Sequence, residues 1–214
     1  MMRTDHAYIL YVFDLDGTLY DQPKLRLTMA MRLLSYYIRH PFRIRELIIL
    51  QHFRQIRDEW TNNASDTAIY EKVAEDKGTT PEAVAGIVNR WIYDNPLTAL
   101  RGARDEYLAG RIRKIRRDGR KVVVLSDYPS EDKLKALDIE VDGKYGPEDE
   151  RIDELKPSPK GLYLIMQDYG VSPGDMLMIG DRDEKDGQCA RAAGVDCLIL
   201  DRRVRKRNYD EIGI

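Results

Sequence analysis

Cysteine is scarce: the 214 residues hold two, Cys189 and Cys197. Their spacing is not that of a zinc site, so free thiols in a reducing compartment are expected. Histidine is nearly as rare. His6, His40 and His52 share no ligand spacing and read as surface or packing residues. An excess of one charge is also missing. The formal net charge is −2, which argues against a nucleic-acid partner recruited by global charge. No apolar run reaches the roughly 18 residues that span a bilayer. The opening Met1-Met2-Arg3-Thr4-Asp5-His6 is too short and polar to read as a signal peptide, so a cytoplasmic protein is expected. The length suits one large domain, or a core with a smaller insert.

What is present begins at Tyr11-Val12-Phe13-Asp14-Leu15-Asp16-Gly17-Thr18-Leu19. A short apolar strand stops at two carboxylates and a glycine. Open α/β sheets bind ligands outside the carboxyl ends of their strands. Gly17 permits the backbone to leave strand geometry just past the two acids. Two acids this close repel unless a cation or a proton intervenes. The pattern suggests a divalent metal site with one carboxylate free for chemistry.

Strands are predicted at 7–13, 121–125, 176–179 and 197–200. Helices are predicted at 104–117, 130–137 (Ser130 as cap), 159–169 (Ser158 as cap) and 184–193 (stopped by Gly194). This alternation implies a parallel, Rossmann-like sheet flanked by helices, an α/β fold. A helical block interrupts it, broken at His40-Pro41, reopened at Thr80-Pro81-Glu82 and closed by Asn95-Pro96. The expected organisation is a catalytic core of 1–20 and 97–214 with an inserted all-helical cap at 21–96. Three strand ends carry polar residues: Asp14 and Asp16, then Ser126 and Asp127, then Asp181. The loop Leu155-Lys156-Pro157-Ser158-Pro159 adds a lysine, with prolines on either side of Ser158 to stiffen the loop and hold Lys156 in place. Carboxylates, a hydroxyl and a lysine along one sheet edge suit Mg²⁺ and a phosphate, since Mg²⁺ favours hard oxygen ligands.

These elements together resemble the haloacid dehalogenase (HAD) superfamily, in its phosphoglycolate phosphatase-like subgroup with a small helical cap. Four ordered motifs carry the resemblance over nearly the whole chain: Asp14-Leu15-Asp16-Gly17-Thr18, Ser126, Lys156, and Gly180-Asp181-Arg182-Asp183-Glu184-Lys185-Asp186-Gly187 followed by Ala192-Ala193-Gly194. The resemblance implies a Mg²⁺-dependent phosphatase of a small phosphorylated metabolite. Asp14 would be the nucleophile, forming an aspartyl-phosphate. Asp16 would be acid and base, its backbone carbonyl meeting the metal. Ser126 and Lys156 would bind the phosphate. Metal ligation would fall to Asp14, Asp16 and Asp181, with Asp186 as a further ligand or a supporting residue. Asp183 and Glu184 read as structural. Dehalogenases of the superfamily lack an acid at the position of Asp16, so its presence favours phosphoryl chemistry. One departure stands out: asparagine often follows the second motif, and here Asp127 does. It reads either as a turn residue or as a preference for a cationic or hydroxylated substrate. A phosphomutase is the alternative activity.

The stretch from Lys24 to Arg57 has eight basic residues and one acid, Glu46, for a formal charge of +7. Lys24, Thr28, Arg32, Ser35 and Arg39 fall on one helical stripe, and most of the remaining face is apolar. Further on, Phe42, Ile49, Phe53, Ile56 and Trp60 form one apolar stripe while Ile44, Leu47 and Ile48 lie near the opposite side. The readings are a packed cap with a basic rim, a homodimer interface, or contact with an anionic membrane or partner, including a cap protein with little turnover.

Overall fold

The computed structural model describes residues 8–59 and 65–200; His6 and Trp60 lie outside them. Five strands form one sheet in the order β3-β2-β1-β4-β5. They are β1 Leu10–Phe13, β2 Lys121–Leu125, β3 Gly143–Tyr145, β4 Met176–Gly180 and β5 Asp196–Ile199. All pairings are parallel. The β1 and β4 residues are all buried, as continuous apolar runs are when helices cover both faces of a parallel sheet. Phe13 is in register with both Val124 and Ile179. Asp14, Ser126 and Asp181 therefore leave the sheet along one edge. Strand β3 was not predicted, because three residues are too few to register a pattern.

The chain divides into two compact units, 1–21 with 104–214, and 22–103. The second unit is helical. It comprises α1 Gln22–Arg39, a 3₁₀ turn at Pro41–Arg43, α2 Glu46–Glu59, α3 Asp66–Lys77, α4 Pro81–Val88, a π-helical turn at Asn89–Asp94 and α5 Asn95–Ala103. Thr80 accepts from the Ala83 N–H and Pro81 opens α4, as the sequence indicated. Asn95-Pro96 does not close the block. The π turn runs straight into α5, whose first turn accommodates Pro96, a residue with no N–H to place. Buried Leu25, Met29 and Tyr37 face inward from α1, and Leu50, Phe53 and Ile56 from α2. Phe42, expected on the α2 stripe, is almost fully exposed in the turn before it. The polar stripe of α1 is partly engaged: Lys24 donates to Gly102 O, and Arg32 to Asn95 O and Thr98 Oγ1. Buried Arg57 pairs with Asp66, which also accepts from Tyr93 Oη.

In the first unit, α6 Glu106–Arg117 is capped by Asp105. Helix α7 Glu131–Leu137 follows β2; Ser130 sits at its N-cap but makes no side-chain cap bond, and its N–H donates instead to Glu148 Oε1. Pro159, not Ser158, takes the cap position of α8 Lys160–Tyr169. A π turn at Asp183–Gly187 leads into α9 Gln188–Ala193, which Gly194 ends. Leu162 and Ile165 from α8 and Cys189 and Ala190 from α9 pack against Leu10, Val12 and Met178 in one buried cluster.

Candidate active site

The site starts where β1 stops. The Asp14 N–H still bonds to Ile179 O at 2.8 Å, continuing the ladder. The chain then turns at once: the Thr18 and Leu19 N–H groups both reach back to Leu15 O, and Gly17 adopts φ 99°. An L side chain rarely takes that conformation, so the glycine is what lets the turn after the strand close. The turn returns the Thr18 hydroxyl to Asp14 Oδ2 at 2.9 Å. Asp16 goes elsewhere. Its Oδ1 accepts from Tyr20 Oη at 2.6 Å, and its two oxygens accept from Lys133 Nζ at 2.6 and 2.8 Å.

The two acids thus have separate cations. Lys156, from the loop between β3 and α8, places Nζ 2.6 Å from Asp14 Oδ1 and 2.7 Å from Asp186 Oδ1. All three residues are buried. The second Asp186 oxygen accepts the backbone N–H groups of Asp181 and Arg182, tying down the loop after β4. This close approach needs Gly180, because a Cβ there would run into the Asp186 carboxylate. Asp14, Asp181 and Asp186 each offer an oxygen within 4.8 Å of the others. Such an all-oxygen, anionic donor set fits a small hard divalent cation.

Burial pushes the Asp14 carboxyl up to about 7; the ammonium of Lys156 opposes the rise and the Asp186 charge adds to it. Burial works against the Lys156 ammonium too, yet the charges of Asp14, Asp186 and Asp127 hold it well above its ordinary range. Buried Asp127 is no solvated turn residue. It accepts the Lys156 backbone N–H at 3.2 Å, and Lys185 Nζ stands at 3.1 Å and Arg182 at 3.7 Å. Burial opposes its ionisation, but Lys156, Lys185 and Arg182 keep its carboxyl below the usual range. The extra acid is therefore neutralised internally and holds the lysine loop. Ser126 is buried at the end of β2, where its hydroxyl donates to Tyr128 O at 2.8 Å and accepts the Tyr128 N–H. Meeting a ligand requires that hydroxyl to rotate.

Asp183 and Glu184 are exposed; Asp183 pairs with Arg191 on α9. Cys189 is a buried packing thiol whose Sγ contacts Ser158 O, and burial pushes it up to about 12. Lys133, Thr18, Tyr20 and Arg182 were not assigned from the sequence. Thr18 and Tyr20 follow the Asp-x-Asp run closely enough for the turn to have suggested them. Lys133, 117 residues beyond Asp16, had no spacing to announce it.

The model of the haloacid dehalogenase-like hydrolases matches residues 10–194. The chain belongs to this family. Across 205 residues it is 27% identical to the phosphoglycolate phosphatase of Pseudomonas putida, covering 89% of this chain and 68% of that one. Among solved structures, the HAD-hydrolase YfnB of Bacillus subtilis, determined bound to magnesium, aligns with TM-score 0.67 at 14% identity, over 98% of this chain and 100% of that one. The 2-haloacid dehalogenase of Pseudomonas syringae aligns with TM-score 0.65 at 16% identity, over 91% and 86%. Structures this distant share the fold, and this hydrolase's chemistry has to be argued from its own side chains.

Gly180→Ala should cost roughly 1–3 kcal/mol by overpacking against Asp186, read as a lower urea midpoint with an unchanged slope. A second expectation concerns pH. Folded Asp14 keeps its proton up to about 7, against an ordinary 3.8. Relative to Asp14→Asn, the metal-free protein should therefore lose stability as pH rises from about 4 to 7. A divalent cation held by these carboxylates would compete with that proton, so added Mg²⁺ should raise the melting temperature more at pH 8 than at pH 5; an equal effect at both would count against the cation site.

Proposed function

We propose that this hydrolase is a Mg²⁺-dependent phosphatase that releases phosphate from a small phosphorylated metabolite through an aspartyl-phosphate on Asp14. The observation that carries the reading is Asp16, an acid two residues beyond Asp14 in the chain but on its own hydrogen-bond circuit with Lys133 and Tyr20. Hydrolysis of a carbon–halogen bond has no leaving oxygen to protonate; a phosphate ester does, and this second carboxyl can supply the proton. The name of the Pseudomonas putida relative supports the same chemistry.

Asp14 attacks phosphorus with one carboxylate oxygen while the ester P–O bond breaks. The Thr18 hydroxyl fixes the rotamer of the attacking group. The proton on Asp16 passes to the leaving alcohol oxygen, and Lys133 and Tyr20 offset the carboxylate that remains. In the second step Asp16 takes a proton from water as its oxygen adds to phosphorus. The bond to Asp14 then breaks and inorganic phosphate leaves. Lys156 and the rotated Ser126 hydroxyl donate to the phosphoryl oxygens as charge spreads over them. Mg²⁺, held by Asp14, Asp181 and Asp186 with the Asp16 carbonyl, would supply the positive charge that lets an anionic nucleophile approach a phosphate dianion. We assign the helical unit 22–103 the selection of substrate as the family's small cap, and the two free cysteines support a cytoplasmic setting.

Asp14→Asn should lower kcat on an aryl phosphate by about 10⁴-fold or more, and a chelator should silence the wild type until Mg²⁺ is restored. Full turnover by Asp14→Asn would refute the assignment. Lys133→Ala should lower kcat by about 10²-fold through misplacement of Asp16, with partial recovery in Lys133→Arg and little change in KM. A metabolite screen that includes 2-phosphoglycolate, scored by phosphate release, would then rank substrates.

A further inference from the structure

Among the described residues, seven of the ten exposed large hydrophobic side chains fall between residues 27 and 48. On α1, Leu27, Met31, Leu34 and Ile38 follow i, i+4, i+7, i+11 spacing and form one stripe, 59–72% exposed. It lies opposite buried Leu25, Met29 and Tyr37, so it is no part of the helical unit's own core. The turn continues the pattern with Phe42, 98% exposed, and then Ile44 and Ile48, each more than half exposed. Solvent-exposed apolar groups in such number mark a surface that something covers.

The charges around these residues identify the cover. Arg26, Arg39, Arg43 and Arg45 are exposed beside them. From residue 22 to 57 there is one acid, Glu46, and it is buried against Arg43 and Tyr37. Arg43 and Arg45 alternate with Phe42 and Ile44, so cation and apolar group leave the turn together. A second copy of this chain is a poor match, because a two-fold interface sets the same patch against itself and would press cations on cations with no exposed acid to pair. A surface that is anionic outside and apolar beneath answers both halves of the pattern. No helix among the described residues is long and apolar enough to cross a membrane, so the contact is peripheral. We propose that α1 and the turn into α2 form a docking surface for an anionic lipid bilayer, with Phe42 and the α1 stripe entering the interface and the arginines meeting lipid phosphates.

The test uses the full chain and sedimentation with vesicles of phosphatidylcholine alone or with phosphatidylglycerol. Binding should require the anionic lipid and weaken at high salt. Arg26, Arg39 and Arg45 changed together to Gln should lower the partition coefficient by about 10²-fold, at roughly fivefold per removed cation. Ile38→Ser with Phe42→Ser should abolish retention. These side chains are exposed, so unchanged melting temperatures would show that the variants fold. No binding to anionic vesicles, equal binding to neutral ones, or a concentration-dependent dimer that Ile38→Ser dissolves would each overturn the proposal. The readout is independent of catalysis, so it stands or falls apart from the phosphatase reading.

Discussion

One buried ammonium organises the carboxyl edge of the sheet. Lys156 Nζ bridges Asp14 and Asp186, which come from the ends of different strands. Two buried carboxylates without it would repel each other with little water to screen them, and breaking such a pair typically costs about 3–5 kcal/mol. The lysine arrives from a loop with no regular structure, so the loop itself must be held. Asp127 does this by accepting the Lys156 backbone N–H while its own charge is met by Lys185 and Arg182. Asp186 in turn gathers the N–H groups that follow β4. The ends of β1, β2 and β4 are thereby tied together through one charge. The same arrangement leaves the three carboxylate oxygens close enough for a divalent cation.

Much of this was legible in the sequence, for a physical reason. Buried parallel strands are apolar runs that end abruptly, and β1, β2 and β4 ended at the polar residues that now form the site. The turn at Gly17 was legible because a glycine directly follows the Asp-x-Asp run at the end of an apolar strand. Strand β3 escaped notice because it is three residues long and borrows its order from β2. Pro96 misled because proline ends an ordinary helix, whereas here a π-helical turn had already shifted the hydrogen-bond pattern. Lys133 and the clamp on Asp127 were invisible for another reason. They are contacts between residues far apart in the chain, and a lone lysine on a helix resembles any surface lysine until the fold places it.

The helical unit shows the limit of periodicity as a guide. A repeating apolar pattern reports that a face is to be covered, without saying by what. On α1 the pattern supports two faces, and the structure buries one of them within the unit. The polar stripe carries a similar ambiguity, since Lys24 and Arg32 spend their charge on α5 carbonyls while Arg39 remains at the surface.

The φ of 99° at Gly17 has a wider consequence. The turn it closes just past Asp16 brings Thr18 back to Asp14, and each acid keeps its own electrostatic wiring: Lys156 and Thr18 for one, Lys133 and Tyr20 for the other. Circuits that share no member can be altered one at a time. A lineage on this scaffold can discard the Asp16 branch without removing the Thr18 or Lys156 hydrogen bond to Asp14. That independence gives a structural reason why a sheet like this one also underlies an enzyme such as the Pseudomonas syringae dehalogenase.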